Sequence, residues 1–119
     1  MLFRIDPSAD ATIFMQIADN VRTEAAAGRL RSGERLPSAR EVAEMLGVNV
    51  HTVLRAYQEL RDEGLVELRR GRGAVMTDAV DLLTAMHDDI RRLAAKAAQA
   101  GLQPQTLTAL IQEALREHH

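Results

Sequence analysis

Between Pro37 and Gly64 the sequence has room for two short helices, back to back, and little else. Pro37 bars a helix from running through it, and Ser38 with Glu41 forms a capping box. In such a box the hydroxyl accepts the Glu41 amide hydrogen while the Glu41 carboxylate returns to the Ser38 amide. Val42, Ala43 and Leu46 then share one face, and Gly47 stops the helix by supplying a left-handed position that a Cβ would resist. Asn49 is a good cap for a second helix, in which Val53, Ala56, Tyr57 and Leu60 recur at three- and four-residue steps until Gly64. Two helices joined so tightly, each apolar on one side, pack at a large angle as a helix-turn-helix and leave the second helix with a free face.

That face carries Asn49, His51, Thr52 and Arg55, and no acid occurs from Met45 to Gln58. A helix with hydrogen-bonding side chains in its first turns, no carboxylate there and a positive dipole end suits a polyanion in a groove. Asn49 is equally fitted to cap the helix and to touch a base or phosphate. Tyr57 belongs to the packed side. A hairpin follows, with Leu65, Val66 and Leu68 in one strand, Ala74 to Met76 in the other, and Arg69, Arg70, Gly71, Arg72 and Gly73 between them. Residues 68–77 again hold no acid. Glycines at the tip let the backbone approach phosphates, and an arginine there suits the narrow, electronegative minor groove. Arg69 and Arg70 straddle the sheet, so one of the two faces solvent without a contact.

The chain resembles the GntR family of bacterial transcription regulators over roughly residues 2–77. Four motifs carry the resemblance in order. They are Gly33-Glu34-Arg35-Leu36-Pro37-Ser38-Ala39-Arg40-Glu41-Val42-Ala43, then Leu46-Gly47-Val48-Asn49 with Thr52-Val53, then Glu63-Gly64-Leu65-Val66, and Arg69-Arg70-Gly71-Arg72-Gly73. The resemblance implies a winged helix-turn-helix whose second helix enters the major groove while the wing touches backbone or minor groove. By position it implies DNA contacts at Arg40, Asn49, His51, Thr52, Arg55, Gly71, Arg72 and Gly73. Arg69 is a further wing cation, and Arg35 and Ser38 are lesser phosphate candidates. Val50 and Leu54 stand where many members carry arginine, the usual bidentate reader of guanine, so the family's guanine contacts cannot be assumed for this chain and its base preference is open.

Ahead of this region, residues 1–5 read as at most a short strand or extended arm ended by Asp6-Pro7. From about Ala11 to Ala27 the pattern is helical, with Phe14, Ile17, Val21 and Ala25 in one stripe and Gly28 closing it, which makes a scaffold helix. After Thr77 the composition shifts to Ala, Leu and Gln. Asp78 or Asp81 can cap a helix bearing Leu82, Leu83, Met86, Ile90 and Leu93. Pro104 opens a last helix with Leu107, Leu110, Ile111 and Leu115 on one face. Such a hairpin has too few apolar residues to bury both stripes alone, so a second surface is needed, either the winged domain or the same hairpin of another chain. A two-fold dimer would use the second option, and the resemblance to the YtrA-like subfamily with its short two-helix tail favours it. The expected fold is therefore mainly α with a small antiparallel β-wing: a winged helix-turn-helix over residues 1–77 and a two-helix dimerisation tail over 78–119.

The formal charge of −2 argues against a generally basic nucleic-acid binder, but the charge is polarised and the acid-free windows hold the footprint. There are no cysteines, hence no disulfide and no thiolate metal site. No signal peptide or long apolar run is present, so the expectation is a soluble, cytoplasmic protein without a membrane partner. His87 with Asp88, and His118 with Glu113 and Glu117, lack a second spaced ligand set, and no metal or other cofactor is expected. No nucleophile motif or phosphate loop is found, which excludes an enzyme as the reading. The sequence thus points to a homodimeric repressor on a pseudo-palindromic stretch of double-stranded DNA. The rival is a winged helix used as a protein-docking module. A small-molecule effector, where one exists, would sit between subunits or under the hairpin.

Overall fold

In a computed structural model, which describes residues 3–119, the order of elements is α1 (Ile13–Ala26), α2 (Ala39–Leu46), α3 (Val50–Asp62), β1 (Val66–Arg69), β2 (Gly73–Met76), α4 (Val80–Gln99) and α5 (Pro104–Arg116). The chain divides into two compact units, Met1–Met86 and His87–His119, with α4 running from one into the other. The fold is mainly helical, with a two-stranded antiparallel hairpin ahead of the C-terminal helices.

The first unit is built on α1, α2 and α3. Thr12 caps α1 by accepting the Met15 amide, and Ile17, Ala18, Val21 and Ala25 form its buried stripe. Against it lie Val42 and Ala43 of α2 and Val53, Ala56, Tyr57 and Leu60 of α3. The capping box at Ser38 is complete, its hydroxyl taking the Glu41 amide at 3.1 Å and the Glu41 carboxylate taking the Ser38 amide at 3.3 Å. Gly47, at φ 68°, ends α2 in the left-handed region, where any other residue would cost roughly 1–2 kcal/mol. The turn to α3 is closed by the Val48 amide donating to the Ala43 carbonyl at 3.1 Å.

Long-range polar bonds fix how the helices sit. Arg22 of α1 reaches the C-cap of α3, its Nε 3.0 Å from Glu63 Oε2, and the Glu63 hydrogen bonds raise the guanidinium pKa. The Tyr57 hydroxyl donates to the Pro37 carbonyl at 2.6 Å and so ties α3 to the residue that precedes the α2 cap. Residues 3–6 lie in no helix or strand. Phe3 is buried, and Asn20 accepts the Arg4 amide at 3.0 Å and donates to its carbonyl at 2.7 Å. The arm expected over residues 1–5 is thus strapped to α1 from Phe3 on, and Met1 and Leu2 lie outside the described residues.

In the wing, Val66 pairs with Met76 and Arg69 with Gly73. A third segment joins the sheet on the far side of β2: the Leu36 amide donates to the Ala74 carbonyl at 2.9 Å, and the Met76 amide to the Glu34 carbonyl at 2.8 Å. Val66, Ala74 and Met76 face the core. Leu68 stands in the same row but is 43 % exposed, so the row continues past the cover that the helices supply. At the wing's base Thr77 Oγ1 donates to the Gly64 carbonyl at 2.6 Å. The Ser32 hydroxyl donates to the Asp78 carboxylate.

Within the first unit Val80 is buried and Leu83 packs on the core, while Leu82 and Met86 are exposed. In the second unit a tight turn at Gly101 links α4 to α5, the Leu102 amide donating to the Ala97 carbonyl at 3.0 Å. Ala97 is buried and Leu107 half-buried, but no residue of α5 is fully buried, and Ile90, Leu93, Leu110, Ile111 and Leu115 are exposed. Among the described residues no helix is long and apolar enough to cross a membrane.

Candidate nucleic-acid interface

The residues expected to meet a polyanion come from three segments: the start of α2, the start of α3 and the wing. Arg40 sits in the first turn of α2, exposed, with no carboxylate partner among the described residues. Asn49 is the N-cap of α3, and its Oδ1 accepts the His51 amide at 2.8 Å. That bond commits the side-chain oxygen to the helix and leaves the Nδ2 donor free. No acid lies in the first turn of α3, His51 is exposed, and Thr52 is half-buried.

Arg55 is exposed, and its guanidinium lies over the Phe14 ring of α1, 3.9 Å from the centroid. A cation on an aromatic face keeps its N–H edge available, and such stacking contributes roughly 0.5–1 kcal/mol at exposed sites. The contact spans α1 and α3, so neither helix pattern alone reveals it.

At the wing tip the Arg72 amide donates to the Arg69 carbonyl at 3.0 Å, and Gly71 and Gly73 take φ of 80° and 70°. Arg69 is paired with Glu67 in its own strand, Nε to Oε2 at 2.9 Å. Residues two apart in a strand share a face, so this pairing was open to sequence reasoning. Arg70 and Arg72 are exposed and have no carboxylate partner among the described residues.

Ser38, Arg69 and Gly73 line one open groove of about 450 Å³ between the helices and the wing. Arg35 lies elsewhere: it bridges to Val75 in the sheet and lines a more polar depression that holds Glu24, Glu34 and Glu41. Six residues outside the set of expected contacts, Ala39, Leu54, Tyr57, Leu68, Arg70 and Ala74, complete the lining of the groove. The signal for Leu54 was present, since a large aliphatic side chain off the Val53, Ala56, Tyr57, Leu60 stripe has no core to enter. Below the groove, burial raises the Tyr57 phenol pKa, and the Glu41 charge adds to the shift.

Among the described residues no group of His, Cys, Asp and Glu could hold a metal ion. The arrangement offers cations, amide and hydroxyl donors and an apolar groove on one side of α3. Comparison with known proteins agrees with this chemistry. The family model for bacterial regulatory proteins of the gntR family matches residues 14–76, which include every interface residue named above. The transcriptional repressor YtrA of Bacillus subtilis is 30% identical over 118 residues, covering 94% of this chain and 91% of that protein. Among solved structures, a GntR family regulator from Listeria monocytogenes superposes with TM-score 0.62 at 27% identity, covering 92% of this chain and 98% of that one. YtrA from Sulfolobus acidocaldarius, a GntR-family transcription factor, gives TM-score 0.61 at 34% identity over 83% of this chain and 99% of that one. The chain belongs to the gntR family of bacterial regulatory proteins, which are DNA-binding transcription regulators and not enzymes.

Proposed function

We propose that this chain is a homodimeric transcriptional repressor of the YtrA-like kind, acting in the cytoplasm on a pseudo-palindromic operator. Each subunit sets the first turns of α3 in a major groove, and the Arg70-Gly71-Arg72 tip lies on backbone or minor groove. The observation that carries this reading is the acid-free start of α3, where Asn49, His51 and Arg55 are exposed together. Arg40, Arg70 and Arg72 supply phosphate contacts, with Ser38, Arg69, Gly73 and Arg35 as lesser ones. These contacts give affinity and salt dependence, while α3 gives sequence choice.

Residues 78–119 act as the dimerisation tail. An unburied stripe of Ile90, Leu93, Leu110, Ile111 and Leu115 is larger than the scattered apolar residues of an ordinary surface, and a second copy of the same stripe would cover it. Leu107 supports it from a half-buried position, while Leu82, Leu83 and Met86 belong to the first unit, where Leu83 packs on the core. Repression accords with the Bacillus YtrA relative, a transcriptional repressor. An effector, where the protein uses one, sits between subunits or under the tail.

The test is selection of bound duplexes from a random pool at about 0.15 M salt, with the solution mass taken on the same sample. A dimer that enriches a two-fold symmetric site, its half-sites about 34 Å apart or a multiple of that, fits the proposal. A monomer that enriches nothing would instead make the protein a docking module.

A further inference from the structure

The polar side chains that line the groove between α3 and the wing are already engaged inside the protein, Arg70 excepted. Ser38 Oγ accepts the Glu41 amide, the Tyr57 hydroxyl donates to the Pro37 carbonyl, and Arg69 is paired with Glu67. What remains is Leu54, 40 % exposed, Leu68, 43 % exposed, and Ala74, with the unpaired Arg70 on the rim. Leu54 lies one turn after His51 on the same side of α3, so a reading helix that brings His51 to base edges brings Leu54 with it.

Four base pairs present a small set of groups in the major groove, and only one is apolar: the 5-methyl group of thymine. A nearby cation steadies the adjoining phosphate, which is the role the position of Arg70 allows. A wall of two leucines beside a cation therefore gains apolar contact from a thymine methyl group and none from a G·C edge, which offers only donors and acceptors there. We propose that Leu54, backed by Leu68, is a specificity-determining residue that reads a thymine methyl group in each half-site. This rests on the DNA-binding reading of the same face.

The test uses the full chain and the duplex recovered by selection, with each thymine replaced in turn by deoxyuridine, which lacks only the methyl group. In the parent protein, one thymine per half-site should cost about fourfold in affinity when demethylated, the value of one buried methyl group at tenfold per 1.4 kcal/mol. In Leu54→Ala, whose target is exposed and whose melting temperature should match the parent, the same exchange should cost nothing. A parent indifferent to deoxyuridine at every position overturns the assignment, and so does an equal loss in parent and variant. In either case a specific duplex would still have been found, so DNA binding would stand. Failure to recover any specific duplex overturns both together.

Discussion

Replacing Tyr57 by Phe removes one oxygen and keeps the ring, and the structure says what that oxygen does. Its hydroxyl donates to the Pro37 carbonyl at 2.6 Å, with the side chain 3 % exposed. A net hydrogen bond contributes about 0.5–1.5 kcal/mol, and Pro37 is half-buried, so water can only partly replace the lost donor. Tyr57→Phe should therefore cost about 1 kcal/mol. For a unit the size of Met1–Met86 this lowers the melting temperature by roughly 4–8 °C.

Alkaline titration supplies a second, independent reading of the same hydroxyl, through its burial. The phenol pKa in the folded chain is raised by burial and then by Glu41, whereas the unfolded phenol titrates near 10. Below that pH both states hold the proton and the contribution is complete. Above it the unfolded phenol has lost its proton while the folded one keeps it, so stability falls by about 1.4 kcal/mol per pH unit. Tyr57 is the single tyrosine and there is no tryptophan, so tyrosinate absorbance follows this residue alone. Urea unfolding of parent and Tyr57→Phe from pH 9 to 11 should show a decline in the parent that is absent from the variant. Equal melting temperatures, or tyrosinate forming near pH 10 in a chain that is still folded, would refute the reasoning.

Three other expectations follow from the interface and the tail. Asn49→Ser keeps a capping oxygen but loses the free Nδ2 donor, so stability should hold within a few tenths of a kcal/mol while DNA affinity falls roughly fivefold. Unchanged affinity in a binding assay would leave Asn49 as a cap only. Arg70→Ala and Arg72→Ala should each weaken binding to all sequences alike and flatten the log affinity against log salt slope by about 1. Arg69→Ala should do less, because Glu67 already occupies that guanidinium; a larger effect than at Arg72 would reverse the assignment. Leu110→Asp combined with Ile111→Asp should halve the mass in sedimentation, and an unaltered mass would show that the stripe on α5 is not the dimer contact.

What could be read from the sequence was local. The Ser38 and Glu41 box, the Gly47 stop and the Asn49 cap each depend on side chains within a few residues, and all three occur as the spacing requires. The wing strands were visible for the same reason, through period-two patterning around an Arg-Gly tip. Bonds between distant segments had no such signal. Nothing in residues 33–36 marks them as a sheet edge, because the segment is short and ends at Pro37, yet Leu36 pairs with Ala74. Likewise Arg55 on Phe14, and Arg22 on Glu63, need the helices already packed before the partners meet. The Leu54 groove needed both: the helix alone shows an aliphatic residue off the apolar stripe, but only the wing makes it a wall.

Internal pairing, more than net charge, decides which cations can serve a polyanion. With a formal charge of −2 the chain as a whole is not drawn to DNA, and several arginines are consumed by its own carboxylates: Arg22 by Glu63 and Asp19, Arg29 by Glu24, Arg69 by Glu67. Arg40, Arg70 and Arg72 have no carboxylate partner among the described residues, and Arg55 rests on an uncharged ring. An arginine already bridged to a carboxylate must break that pair, or carry the acid with it, before a phosphate gains anything. One stacked on an aromatic face keeps its full charge and loses conformational freedom before DNA arrives. Affinity should therefore respond to the unpaired arginines and be nearly indifferent to Arg29. A salt slope set by the unpaired group is what separates a focused cationic face from a solvated surface of mixed charge.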